Sequence, residues 1–289
     1  MQVSLISSAV RPKLWSSFFK SLEGTSVNVE VVFCGYRTDG LDVPELPLGI
    51  IFNWIDTENI KPAQCYEIAR RHATGETVVW VADDCEFPND VIGKAYNYWK
   101  SQNNDKLILS IQTKETGYKL PQGALFDMKN HCFFGCCPET PLMAPLGLMS
   151  RSFLDYLGGF DRRYVCGQYE NDVVMRAYQN GADVEIFGDE NTFIDIDHLG
   201  KSILIGESIT EDDFLKRPFA KGYEKDREIL EKSWTTTDMK RLIELLNSGV
   251  RSVRPTDIKY ISTVQLDKFE PYEDKDILIK SQSNKGHWV

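Results

Sequence analysis

Chemistry in this chain points first to two acidic clusters. Asp83 and Asp84, with Glu86 close behind, end the apolar run Thr77–Ala82 (Thr-Val-Val-Trp-Val-Ala). A carboxylate left unpaired out of water costs several kcal/mol, so two side by side ask for a cation. A hard divalent ion takes oxygen ligands, keeps open positions and bridges diphosphate oxygens, neutralising charge on a leaving group. Helix capping is the competing use of such residues. A helix is expected from Pro88, but Asp83 and Asp84 lie upstream of its cap, which falls nearer Glu86 or Phe87. The second cluster, Glu170-Asn171-Asp172, stands at the start of a helical face of Val173, Val174, Ala177 and Tyr178, stopped by Asn180-Gly181. Complementing the helix dipole explains Asp172 better than Glu170. A third group, His131-Cys132 with Cys136-Cys137, offers soft ligands but has no second ligand pair. It reads as small buried residues of a loop rather than a zinc site.

The elements that must position these clusters alternate strand and helix. Val3–Ile6, Val29–Phe33, Gly49–Trp54, Thr77–Ala82 and Leu107–Gln112 read as strands. Helices open at Arg11-Pro12, Lys61-Pro62 and Pro88, where proline suits a first turn. Such a series predicts a mostly parallel sheet with helices on both faces. Ligands of such sheets bind beyond the carboxyl ends of the strands, so the loops after Ile6, Phe33, Trp54 and Ala82 should share one site. Residues 113–150 read as irregular, with four prolines. Beyond Lys201 the chain turns polar; Glu224–Trp234 and Thr237–Asn247 look helical, and the last forty or so residues show weak periodicity.

Composition narrows the partners. With 289 residues the chain can bury a core without staples. A net charge of −10 disfavours nucleic-acid binding and means that an anionic ligand needs a metal or local basic groups. No apolar run reaches the length of a membrane span, and the N-terminus reads as a strand rather than a signal peptide. Seven cysteines, an odd number, suggest reduced thiols and a cytoplasmic location.

Taken in order, several segments resemble one family. Ser4-Leu-Ile-Ser-Ser-Ala-Val-Arg-Pro-Lys-Leu14, Ala69-Arg-Arg-His-Ala-Thr-Gly-Glu76, the Asp83-Asp84 segment and Leu157-Gly-Gly-Phe-Asp161 resemble the first strand and loop, pre-motif helix end, DXD-type motif and Gly-Gly-Phe-Asp turn of family 2 GT-A glycosyltransferases. The likeness covers roughly residues 1–200. It implies an α/β GT-A fold, a Rossmann-like, mostly parallel sheet flanked by helices. The catalytic domain would span residues 1–205, with a donor-binding half of about 1–112 and an acceptor and base half of about 113–205. Residues 206–289 would form an extension that is helical in part.

By the same resemblance, the donor is a nucleotide diphosphate sugar, the acceptor a glycan or other hydroxyl, and the cofactor Mn2+ or Mg2+. Asp84 becomes the principal metal ligand, Asp83 a ribose or metal contact, and His198 a metal ligand after the strand Thr192–Ile196. The family's general base stands six residues before an arginine on the same helix; counting back from Arg176 gives Glu170, with Asp172 as the alternative. Ser8, Arg11 and Arg37 are expected against the donor's base, Lys61 and Gln64 near the donor, and Lys201 and Ser202 at the diphosphate. Tyr118, Phe126, Phe133 and Phe134 are candidates to stack on acceptor sugar rings. Two rival functions share the layout. A nucleotidyltransferase would need a glycine-rich phosphate loop, which Ser7–Arg11 lacks; a binding protein on the same fold would catalyse nothing.

Overall fold

A computed structural model describes residues 1–9, 11–35, 44–56, 62–116, 144–161, 163–164, 166–189, 191–197, 226, 228–230 and 278–282. The first strand, β1 (Val3–Ser8), pairs in parallel with β2 (Val29–Gly35), and β2 with β3 (Ile50–Asp56). On its other side β1 pairs in parallel with β4 (Thr77–Trp80). Every residue of β2 and β4 is buried, as a strand covered on both faces requires. Side chains of β1 and β2 alternate between two cores: Val3, Leu5, Val31 and Phe33 enter one, Ile6, Val32 and Cys34 the other.

Helices fill both faces. On the first, α1 (Trp15–Lys20) and α3 (Val91–Ser101) bury Trp15, Phe18, Phe19, Ile92, Ala95 and Trp99. Trp15 and Phe18 meet Phe33 edge-on at ring separations of 5.1 and 5.0 Å. On the second face, α2 (Pro62–His72) and α5 (Tyr169–Gln179) bury Tyr66, Ile68, Ala69, Val173, Val174 and Tyr178. The helix expected from Pro88 begins with a single 3-10 turn, Pro88–Asp90, and becomes α-helical at Val91. Phe87 is the cap position of that turn, as expected, without a side-chain hydrogen bond, while Asp90 caps the α-helix itself; the Asp90 side chain accepts from Gly93 N, and also from Thr25 Oγ1 and Ser26 N. The left-handed backbone at Asn89 and Asp90 makes that geometry, and a reading by spacing alone could not anticipate it.

The region read as irregular contributes two strands. One of them, β7 (Gly147–Ser150), lies antiparallel between β4 and β5 (Leu107–Ile111), followed by α4 (Arg151–Tyr156). Outside β5 runs β8 (Asp183–Phe187), in parallel. The other, β6 (Thr113–Thr116), pairs in parallel with β9 (Ile194–Asp197) to form a second, two-stranded sheet. Four-residue strands show too few alternations to be read as a period. From the extension, expected to be helical in part, residues 226 and 228–230 are helical, while β10 (Leu278–Gln282) lies antiparallel on β3. The main sheet thus has the order β10-β3-β2-β1-β4-β7-β5-β8. Thr237–Asn247 lies outside the described residues. Among the described residues no helix is long and apolar enough to cross a membrane, and Cys34, Cys65, Cys85 and Cys166 remain as thiols.

The central position of β7 depends on Gly147. A Cβ there would overlap the ring of Trp80, which is fully buried and donates from Nε1 to the Ala144 carbonyl at 2.9 Å. Gly147→Ala should therefore cost about 1–3 kcal/mol of stability. Urea denaturation followed by tryptophan fluorescence measures it, and an unchanged midpoint would show that the sheet centre yields without cost.

Candidate active site

At the carboxyl edge of the sheet, Asp83 and Asp84 leave β4 almost completely buried, at 0% and 2% exposure. Their counter-charge is Arg11, from the loop after β1. Its backbone N–H and Nε each donate to Asp83 at 2.8 Å, Nη2 also reaches Asp83, and Nη1 donates to Asp84 at 2.6 Å. The indole N–H of Trp15 adds a longer contact of 3.3 Å to Asp83. Burial works against the Arg11 charge, but the two carboxylates outweigh it and hold the guanidinium above its ordinary range. The sequence-stretch from Ser8 to Arg11 and the acidic pair are thus one unit, joined by a forked charge-assisted contact.

The neighbouring chain segment lies against the pair's far side. Glu86 and Asp195 of β9 exchange backbone hydrogen bonds at 2.8 and 2.9 Å. The strand that leads toward His198 therefore passes beside the acidic loop, although His198 itself lies outside the described residues. Carboxylate oxygens suit a hard divalent ion, which is commonly held by one or two carboxylates with phosphate and water oxygens completing its shell. Among the described residues no group of three His, Cys, Asp or Glu side chains converges. Asp83 and Asp84 therefore fit such an ion as a partial protein ligand set, at a place where Arg11 already holds positive charge.

Tyr66 connects this edge to the second acidic cluster. Its hydroxyl donates to the Val81 carbonyl at 2.7 Å, just before the aspartates, and its ring stacks on Tyr169 at 5.0 Å. Phe160 packs edge-on against both Trp80 and Tyr169. The end of β4 and the start of α5 thus share one aromatic cluster and stand on the same side of the molecule. Burial pushes the Tyr66 phenol well above its ordinary range, keeping it a donor at neutral pH.

The Leu157-Gly-Gly-Phe-Asp161 turn sets the start of α5. Phe160 N donates to buried Glu67 of α2 at 2.9 Å, and Arg176 of α5 donates to the Leu157 and Gly159 carbonyls. Gly159 has φ +76°, and a Cβ there would overlap Glu67 and Arg70. Asp172 belongs to this clamp: fully buried, it accepts from Arg176 Nε at 2.8 Å and from the Tyr164 hydroxyl at 3.4 Å. Glu170 does not. It is 8% exposed, its Oε2 has no hydrogen-bond partner among the described residues, and the same holds for Oδ1 of Asn171 beside it. Burial pushes the Glu170 carboxyl up to about 7; Asp226 adds to that push, and the backbone N–H groups of Glu170 and Gln168 ease it.

The remaining candidates divide in two. Ser8 ends β1, opposite Cys34 of β2, and Gln64 is half-buried in the first turn of α2, both at the carboxyl edge of the sheet. Arg37, Lys61, Lys201 and Ser202 lie outside the described residues, as do Tyr118, Phe126, Phe133, Phe134 and the His131–Cys137 group. Sequence reasoning missed Tyr66 and Asp226. Tyr66 sat on a helical face that reads simply as core, and Asp226 acts on Cys166 and Gly167 across a long stretch of chain.

No family model and no curated protein matches the chain. Solved structures do match it. Residues 1–349 of S. aureus TarS superpose with a TM-score of 0.51 at 16% identity, over 76% of this chain and 72% of that one. The same protein in complex with UDP-GlcNAc gives 0.51 at 15%, over 80% and 72%, and in complex with UDP 0.52 at 16%, over 83% and 75%. A longer TarS chain is covered over 39% of its length. The likeness establishes a GT-A fold.

The raised carboxyl makes a stability prediction. Glu170 binds its proton more tightly folded than unfolded, so its contribution is full below the unfolded value near 4.5 and is lost as the pH rises through about 7. Glu170→Gln should be more stable than the wild type at pH 8 by on the order of 3 kcal/mol, with the gain vanishing near pH 4. Urea denaturation at the two pH values checks this; an equal effect at both would mean that the carboxyl is not held up.

Proposed function

We propose that the chain is a glycosyltransferase that moves a sugar from a nucleoside diphosphate donor to an acceptor hydroxyl. The observation that carries this is Glu170: a buried carboxylate with an unpartnered oxygen, on the same side of the sheet as the Asp83–Asp84 edge. A proton acceptor tuned near neutrality, facing a site built for a polyanion, is the division of labour that sugar transfer requires. The TarS complexes with UDP-GlcNAc and UDP, on the same fold, favour a uridine diphosphate sugar as donor.

In this reading the donor's nucleotide lies along the carboxyl edge, against Ser8, Arg11 and Gln64, with Arg37 and Lys61 from neighbouring segments and Lys201 and Ser202 toward the diphosphate. Asp83, bound by Arg11 and Trp15, fixes the path of the loop against which the ribose would lie. A manganese or magnesium ion held by Asp84 with Asp83, and by His198 as a further ligand, would supply neutralising charge at the departing diphosphate. Glu170 takes the proton from the acceptor hydroxyl as that oxygen attacks the anomeric carbon. Attack comes from the side opposite the leaving diphosphate, so configuration inverts. Asp172 is the weaker candidate for this role, because Arg176 neutralises it and it has a turn to hold.

The test combines binding and turnover. UDP with Mn2+ should raise the melting temperature of the wild type and of Glu170→Gln, but the manganese-dependent part should be missing in Asp84→Asn. With a panel of UDP-sugars, UDP release should fall by about 100-fold or more in Glu170→Gln. Wild-type turnover should fall as the pH drops through about 7, where Glu170 gains its proton. Full turnover by Glu170→Gln would remove it as the base; a manganese-dependent shift kept by Asp84→Asn would remove that residue from the metal.

A further inference from the structure

One buried carboxylate has no part in that scheme. Asp226 comes from the C-terminal segment, some sixty residues beyond the loop that it meets, and is fully buried. A single oxygen, Oδ2, accepts from Cys166 N at 2.6 Å and from Gly167 N at 2.8 Å. Those amides belong to the turn that enters α5, which passes through Gln168 at φ +67° before Glu170. The segment is anchored beside the site: Leu230 is buried in the cluster that contains Tyr66, Phe160 and Tyr169, and Ile229 packs against it.

We propose that Asp226 is a positioning residue for Glu170: it fixes the turn that presents the carboxylate and places a second negative charge behind it. The inference deepens the reading of Glu170 as proton acceptor and rests on it. Burial is the main cause of the raised Glu170 carboxyl, and the Asp226 charge adds to it, so Glu170 is a stronger base than a solvated glutamate. Among the described residues, charged groups on the neighbouring elements form ion pairs of their own. Glu67 of α2 is bound by Arg70 and Arg71, Asp161 by Arg163, and Asp172 by Arg176, while Glu228 is exposed. Residues 226 and 228–230 are then part of the catalytic unit.

Because one oxygen accepts both amides, Asp226→Asn can keep these two hydrogen bonds while removing the charge. Asp226→Ala removes both. The full chain, labelled with 13C-glutamate, is titrated by NMR, with the Glu170 signal assigned by its loss in Glu170→Gln. In Asp226→Asn the Glu170 midpoint should move down from about 7 toward the ordinary carboxylate range. In Asp226→Ala, exchange of the Cys166 and Gly167 amides should quicken by on the order of tenfold or more. A Glu170 titration unchanged by Asp226→Asn overturns the inference, as does unchanged exchange in Asp226→Ala. If alanine prevents folding, the asparagine variant alone decides. UDP release by Glu170→Gln, measured in parallel with the UDP-sugar panel, separates the two readings. Full release there sinks the base assignment whatever the titration shows; lost release with an unmoved titration sinks only the role of Asp226.

Discussion

Two adjacent carboxylates that water cannot reach must be met by positive charge, and the organisation of the donor edge follows from that requirement. Arg11 meets it from a loop far away in sequence, and the meeting fixes the path of the chain between β1 and α1. The same contact places Trp15, whose indole touches Asp83 with one atom while its rings pack on Phe33 and Phe52. Polar edge and apolar core are therefore set by one side chain, and a change at the acidic pair would be felt in the packing behind it.

Glu170 is treated in the opposite way. The ion pairs around it are used up in holding backbone: Glu67 and Arg176 grip the glycine turn from two helices, and Asp172 is committed to Arg176. What remains is a buried carboxylate with no ion-pair partner among the described residues, and its proton affinity rises accordingly. The fold thus ties one acidic group to a guanidinium and leaves another buried and titratable near neutrality, from residues of the same chemical type.

Much of this was readable from residue order. The apolar-rich runs of β1, β2 and β4 announce buried strands, and the proline-led helices after β1, β3 and β4 announce parallel crossovers. Asp83, Asp84 and Glu170 stand out because strand ends and helix starts are where such sheets bind ligands. Other features left no local signal. Four residues, Gly147–Ser150, are too few to show a period, and β10 comes from a tail without patterning. The Asp90 cap depends on left-handed backbone that asparagine and aspartate permit but do not announce. Asp226 looks like any surface acid until the fold brings Cys166 and Gly167 to it.

The antiparallel strand β7 has a bearing on how the molecule comes to be built. No ladder joins β4 directly to β5; residues 147–150 complete the seam between them. A chain emerging from the ribosome cannot knit its two half-sheets together until that short segment has been made. Strands β1 to β4, with Arg11 and the aspartates, can therefore gather first, and the seam strand is already made by the time the helix of Glu170 emerges to join them.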